Sequence, residues 1–141
     1  MTPAAVVIDS SVAVKWLLPE PGTDRALALR DEIVRGRRRA LAPAIIHAEL
    51  ANALWKRVAF TGMESRLAAS MLAAFRDVPI ELVSCDALAL PALELACSHR
   101  RSVYDCLFLA LSVAADAPLV TADESFYNAL RPSFPRLSWL D

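Results

Sequence analysis

Val6-Val7-Ile8-Asp9-Ser10-Ser11 is a β-branched run that ends on an acid and passes straight into helix-capping residues. Consecutive apolar residues of this type mark a buried strand, and Asp9-Ser10-Ser11 offers N-cap chemistry for a helix through Lys15, Trp16 and Leu17. The strand–helix unit recurs along the chain. Leu41-Ala42 is a minimal second strand, Ile80 to Val83 a third, Pro118 to Thr121 a fourth and Leu137 to Trp139 a fifth. Between them, apolar residues at helical spacing predict helices over 23–34 (Ala26, Leu29, Ile33 and Val34 on one stripe), 44–60, 63–75, 86–98 and 103–115, then a short one from Asp123 to Leu130. Arg35 to Arg39 reads as a loop, Pro43 as a first helical turn, Gly62 as a helix stop and Asp86 as a cap. Short apolar strands alternating with helices predict an α/β domain whose parallel sheet is covered on both faces.

With 141 residues the chain has the length of a single domain, 1–141. Its 56% hydrophobic and 22% charged residues exclude intrinsic disorder. Three glycines, Gly22, Gly36 and Gly62, are too few for a Gly-rich phosphate loop. The most apolar stretch, Val103 to Val120, contains Asp105 and Asp116, so it reads as a buried helix and not a membrane span. The first residues lack a basic region and reach Asp9 too early for a signal peptide. Cys85, Cys97 and Cys106 form no C-x-x-C pair, so reduced thiols and a cytoplasmic location are expected. A net charge of −1 is no signature of a nucleic-acid binder, yet setting aside four carboxylates leaves fifteen positive against twelve negative residues. The Arg35, Arg37, Arg38, Arg39 run and the Arg100, Arg101 pair are either solvated loop charges or contacts for phosphates.

Four acids stand where an acid is costly. Asp9 ends an apolar run, Glu49 lies in Ile45-Ile46-His47-Ala48-Glu49-Leu50-Ala51, Asp105 in Val103-Tyr104-Asp105-Cys106-Leu107-Phe108, and Asp123 follows Leu119-Val120-Thr121-Ala122. Burying an unpaired carboxylate costs several kcal/mol, so such groups are paired, metal-bound or protonated. In a parallel α/β sheet the carboxyl ends of the strands form the ligand edge, and all four acids can be aimed there. No cation in the sequence is placed to neutralise four charges, whereas a divalent metal is. Asp9 and Asp123 also fit plain N-caps, and Asp105 fits a helix-dipole role. Glu49, counted from Ala44, is mid-helix and caps nothing.

These segments resemble the motifs of PIN-domain ribonucleases, above all the VapC toxins of bacterial toxin–antitoxin pairs. Val7-Ile8-Asp9-Ser10-Ser11-Val12-Ala13-Val14-Lys15-Trp16 is similar to the first motif, Ala48-Glu49-Leu50-Ala51-Asn52-Ala53-Leu54 to the second, Tyr104-Asp105-Cys106-Leu107-Phe108-Leu109-Ala110-Leu111 to the third and Leu119-Val120-Thr121-Ala122-Asp123 to the fourth. The resemblance implies a three-layer PIN-like fold, with a five-stranded parallel sheet in the order 3-2-1-4-5. It implies a Mg²⁺- or Mn²⁺-dependent endoribonuclease, a homodimer, and a small VapB-like antitoxin that blocks the site. Asp9, Glu49 and Asp105 would then be primary metal ligands and Asp123 a fourth or an indirect one. Ser11, Asn52 and Thr121 would support them, and Arg37, Arg38, Arg39, Arg57, Arg100 and Arg101 are candidates for RNA phosphates. An all-carboxylate set suits Mg²⁺, which takes oxygen ligands and keeps several waters. One local departure is His99-Arg100-Arg101-Ser102, where the family often has a Gly; it bears on the loop shape and substrate choice.

Other readings fit less well. A haloacid-dehalogenase-type phosphatase needs a second acid where Ser11 stands, and a receiver-type signalling domain needs an acid at the end of the third strand, where Val83-Ser84-Cys85 has none. A catalytically silent PIN fold acting as a binding module remains a second reading. No G-x-S-x-G elbow or Cys–His pairing supports nucleophilic catalysis. His47 and His99 read as ordinary, and Trp16, Trp55 and Trp139 as core or dimer contacts.

Overall fold

A computed structural model describes residues 2–141. Five strands, β1 (Ala4–Ile8), β2 (Arg38–Pro43), β3 (Ile80–Val83), β4 (Leu119–Thr121) and β5 (Leu137–Trp139), form one all-parallel sheet in the order β3-β2-β1-β4-β5. Val6, Val7 and Ile8 are fully buried, as the uninterrupted apolar run requires of the central strand. The chain winds outward from β1 to β2 and β3, then returns across it to β4 and β5. β1 therefore pairs with β2 (Val7 beside Leu41) and with β4 (Ile8 beside Val120), and the strand order reverses at the β1/β4 boundary, where α/β sheets open a crevice for ligands.

Seven helices connect the strands: α1 (Ser10–Leu17), α2 (Thr23–Val34), α3 (Ile46–Thr61), α4 (Ser65–Phe75), α5 (Cys85–His99), α6 (Val103–Ala115) and α7 (Glu124–Leu130). α1 to α4 pack on one another, while α5 pairs with α6, which lies against β1, β2 and β4. Right-handed crossovers that reverse direction at β1 place these two groups on opposite faces of the sheet. α6 is buried from Cys106 to Ser112, matching its apolar sequence. Its first turn lies at the carboxyl edge of the sheet, because its last turn feeds β4. None of the helices among the described residues is long and apolar enough to cross a membrane.

Several local expectations are corrected. Pro43 ends β2 in register with Val83 instead of opening a helix, and α3 begins at Ile46. A proline is tolerated there because β2 has run past its pairing with β1. Arg38 and Arg39 belong to β2, not to a loop, and Arg39 reaches across the ladder to Glu81 at 2.7 Å. The α5 cap is Ser84, whose hydroxyl accepts from the Asp86 amide. Val34 lies off the buried stripe of α2 and is 56% exposed. In the loop that departs from the family pattern, Arg100 takes φ 54°, the left-handed conformation a glycine enters freely.

Candidate metal centre

The sheet's carboxyl edge carries a pocket of about 710 Å³ lined by Asp9, Glu49, Asp105 and Asp123 together with Ser10, Ser11, Asn52 and Tyr104. Each acid arrives on a different element. Asp9 follows the last residue of β1, Glu49 is in the first turn of α3, Asp105 in the first turn of α6, and Asp123 caps α7 just past β4. The later start of α3 means that Glu49 is not mid-helix as the sequence suggested. Its carboxylate still caps nothing.

Asp9 holds the N-cap position of α1 through its backbone alone, its carbonyl accepting from the Val12 and Ala13 amides at 3.0 and 3.2 Å. Its side chain, 9% exposed with the residue, makes no capping bond. Instead Oδ2 accepts from Ser11 Oγ at 2.5 Å and Thr121 Oγ1 at 2.9 Å. Those hydroxyls are themselves fixed, Ser11 Oγ accepting from the Ala122 amide at 2.9 Å and Thr121 Oγ1 from the Asp123 amide at 3.1 Å. β1, α1 and β4 are thus tied together through one carboxylate oxygen, and Oδ1 takes no hydrogen bond among the described residues.

The electrostatics are those of anions held together with little counter-charge, Arg101 beside Asp105 being the one basic partner. Burial pushes the Asp9 carboxyl up, against the pull of the Ser11 and Thr121 hydroxyls, and the charges of Asp105 and Asp123 push it further. Glu49 is pushed up to about 7 by burial and then by the charge of Asp9, with Ser10 working the other way. Its Oε1 is buried with no hydrogen-bond partner, an arrangement that costs stability unless something else supplies the contact. Burial also raises Asp105, offset by Arg101 and reinforced by Asp123.

Asp105 is the one acid of the four with a basic partner. Arg101 approaches its Oδ2 at 3.5 Å and rests over the Phe126 ring, 5.5 Å from its centroid. Asp123 confirms the capping alternative for one oxygen: Oδ1 accepts from the Phe126 amide at 3.1 Å. It therefore has two jobs that mutation can separate. Asp123→Ala should cost about 1 kcal/mol through loss of the cap, lowering Tm by roughly 3 °C for a chain this size. Asp123→Asn should keep the melting temperature while weakening the pocket's hold on a cation; equal melting losses in both variants would assign Asp123 to capping by charge alone.

As the side chains stand, no group of three or more His, Cys, Asp or Glu among the described residues is drawn into a closed metal cluster. The donor set nevertheless fits a hard divalent cation. The pocket lining offers carboxylate, hydroxyl and amide oxygens with no His or Cys, and Glu49, which lines it and feels the charges of Asp9 and Asp105, has a buried oxygen with no hydrogen-bond partner. A cation that keeps several waters needs only a few direct protein oxygens.

The supporting residues divide. Ser11 and Thr121 grip Asp9 as described, and Asn52 lines the pocket one helical turn beyond Glu49. Arg37, Arg38 and Arg39 lie at the start of β2, the opposite end of the sheet from the acids, with Arg38 and Arg39 already paired to Glu32 and Glu81. Arg101 is committed to Asp105, and Arg100 is exposed at the end of α5. The sequence reading passed over Glu20, Lys56 and Tyr104, which also line the pocket. Glu20 is held by Lys15 at 3.2 Å and by Arg57 at 3.5 Å.

A family model of the PIN domain matches residues 6–131. Among solved structures, the chain is similar to VapC20 of Mycobacterium tuberculosis, a sarcin–ricin loop cleaving toxin (TM-score 0.68, 16% identity, 88% of this chain and 94% of that one). It is also similar to VapBC2 from Rickettsia felis bound to a DNA fragment from its promoter (TM-score 0.65, 16% identity, 96% of both chains). A toxin–antitoxin complex from Klebsiella pneumoniae matches at TM-score 0.65 and 10% identity over 94% and 95% of the two chains. At these identities the likeness is one of fold. No curated protein matches the sequence.

Proposed function

The chain belongs to the PIN domain family, and on that premise we propose that it is a metal-dependent endoribonuclease, the toxin of a toxin–antitoxin pair. The observation that carries this reading is the convergence of Asp9, Glu49, Asp105 and Asp123 on one pocket, with Asp9 clamped and a Glu49 oxygen buried unbonded. Asp9, Glu49 and Asp105 would hold Mg²⁺ or Mn²⁺ directly or through water, with Asp123 completing the set. Such an ion, when bound, lowers the pKa of a water and stabilises charge on a phosphodiester under in-line attack.

The chain's own residues prepare that chemistry. Ser11 and Thr121 hold Asp9 in one rotamer, so its free oxygen points without reorganisation. Arg101 works against the upward push that burial gives the Asp105 carboxyl. The pocket opens at the switch point of the sheet, wide enough at about 710 Å³ for a nucleotide. A small VapB-like antitoxin as partner is supported by the toxin–antitoxin complexes among the similar folds; the homodimer and the cytoplasmic setting follow the family resemblance. A receiver-type function gains nothing from the structure, since β3 is an edge strand and its end carries Ser84 and Cys85.

The deciding experiment incubates purified protein with RNA and Mn²⁺, beside EDTA and Asp9→Asn controls. Cleavage that needs both the metal and Asp9 is expected. Intact RNA with the wild-type protein under all metal conditions would leave the silent binding module as the better reading.

A further inference from the structure

The loop between α5 and α6 sets a fixed positive charge against the acids. Arg100 closes α5 in the left-handed conformation, and Ser102 opens α6, its hydroxyl accepting from the Asp105 amide at 3.1 Å. Arg101 is the one residue between these caps, so its backbone has little freedom. Its side chain is 21% exposed and is held from three directions. The guanidinium approaches Asp105 Oδ2 and Ser125 Oγ, each at 3.5 Å, and lies over the buried Phe126 ring. An ion pair at i,i+4 in open water is worth little. This one is mostly withdrawn from water and seated on an aromatic face, where a cation is retained.

The four acids are thereby unequal. Asp9 and Glu49 have no basic partner among the described residues, and one Glu49 oxygen is buried unbonded. Asp105 has given one oxygen to Arg101, and Asp123 has given one to the amide of Phe126, the residue whose ring carries Arg101. Asp123 is also near enough for its charge to act on Asp105. Arg101 therefore sits on the Asp105 and Asp123 half of the centre.

We propose that Arg101 stands in for a second cation: the centre admits a single divalent ion, served by Asp9, Glu49 and the remaining oxygen of Asp105, and the guanidinium bars another from Asp105 and Asp123. This rests on the metal-dependent reading of the same pocket and adds how many ions it admits and which residue sets that number. Paired divalent ions in phosphodiester-cleaving sites lie about 3.5–4 Å apart, and they need enough surrounding anion to offset their repulsion. Four ionised carboxylates beside one guanidinium leave three negative charges, which one divalent ion nearly balances and two would exceed. Arginine suits the task because it stays charged at every pH the fold meets, so the position it fills is not opened by titration.

The test counts Mn²⁺ bound per chain, without RNA, by titration calorimetry and by the paramagnetic resonance signal of the free ion. The wild type should bind one ion. Arg101→Met, which keeps an apolar stem on Phe126 and loses the charge, should bind two, the first more tightly than in the wild type. Arg101→Lys should return the count to one. Adding Asp123→Asn to Arg101→Met should also remove the second ion, which places that ion at these acids and not elsewhere on the surface. Thermal melting in EDTA checks the fold of each variant, with Arg101→Gln as a second neutral substitution. Two ions in the wild type would overturn the proposal without recourse to any variant, as would a single ion in folded Arg101→Met and Arg101→Gln. No ion in the wild type or the variants would overturn the metal-dependent reading itself, so the two failures are distinct.

Discussion

Asp9→Asn is expected to lower RNA cleavage by more than about 100-fold, a larger loss than supporting residues around a metal usually give, while the metal-free protein melts no lower than wild type. The two halves of this expectation have one cause. Asp9 Oδ2 accepts two hydroxyls, from Ser11 and Thr121, and an amide oxygen can accept both, though more weakly than a carboxylate. The bonds that tie β1, α1 and β4 together therefore survive. What the substitution removes is the negative charge, which burial and the charges of Asp105 and Asp123 disfavour. Two carboxylates 4 Å apart repel by roughly 4 kcal/mol at an effective dielectric of 20, so relief of even part of that offsets the poorer fit of the amide. A rise of up to about 3 °C in Tm corresponds to roughly 1 kcal/mol for a chain of this length. The same charge is indispensable to a cation. A marked fall in the melting temperature of metal-free Asp9→Asn would instead make Asp9 a structural residue, and the nuclease reading would lose its central ligand.

The acids were legible in the sequence because a carboxylate in an apolar run is costly to bury. That argument holds for buried Asp9 and in part for half-buried Glu49 and Asp105, whereas Asp123 is exposed and its signal was that of a cap. Helix limits were legible where opposed signals bracket them. The predicted spans 23–34 and 103–115 coincide with α2 and α6, set between Gly22 and the break after Val34, and between the Ser102 cap and the left-handed Asp116. They blurred where one residue type serves two purposes. Pro43 fits the first turn of a helix and the end of a strand equally, and Ser84 and Asp86 are both capping residues two positions apart. Arg39 read as loop because the partner that makes it a strand residue, Glu81, is distant in sequence. Lys56 and Tyr104 were invisible for a related reason. A lysine on a helix, or a tyrosine next to an acid, is ordinary until the rotation of that helix toward the pocket is known. Glu20 lies in a Pro-rich break, and only the folded chain sets it between Lys15 and Arg57.

The unrelieved charge should also be visible in the pH dependence of folding. Glu49 is pushed from an ordinary 4.5 up to about 7 in the folded chain, so between those values the folded state binds more protons than the unfolded one. Stability then falls as pH rises. The contribution from Glu49 is fully present below pH 4.5 and lost by the time the pH passes about 7. Its size is on the order of 2 kcal/mol, allowing for the partial exposure of the side chain. Asp9 and Asp105, also raised, act in the same direction. Other ionisable groups add their own slopes, so the informative quantity is the difference between wild type and Glu49→Gln, followed by thermal melting in EDTA from pH 5 to 8. Glu49→Gln should be the more stable protein at pH 8, and its advantage should vanish toward pH 5. Mn²⁺ should reverse the wild-type trend, because a cation binds the ionised carboxylates and its stabilisation grows with pH, reaching about 2.7 kcal/mol at a hundred times Kd. Parallel melting curves for the two proteins at every pH would mean that the Glu49 carboxyl is satisfied within the fold, and the strongest physical reason for placing a cation among these four acids would be gone.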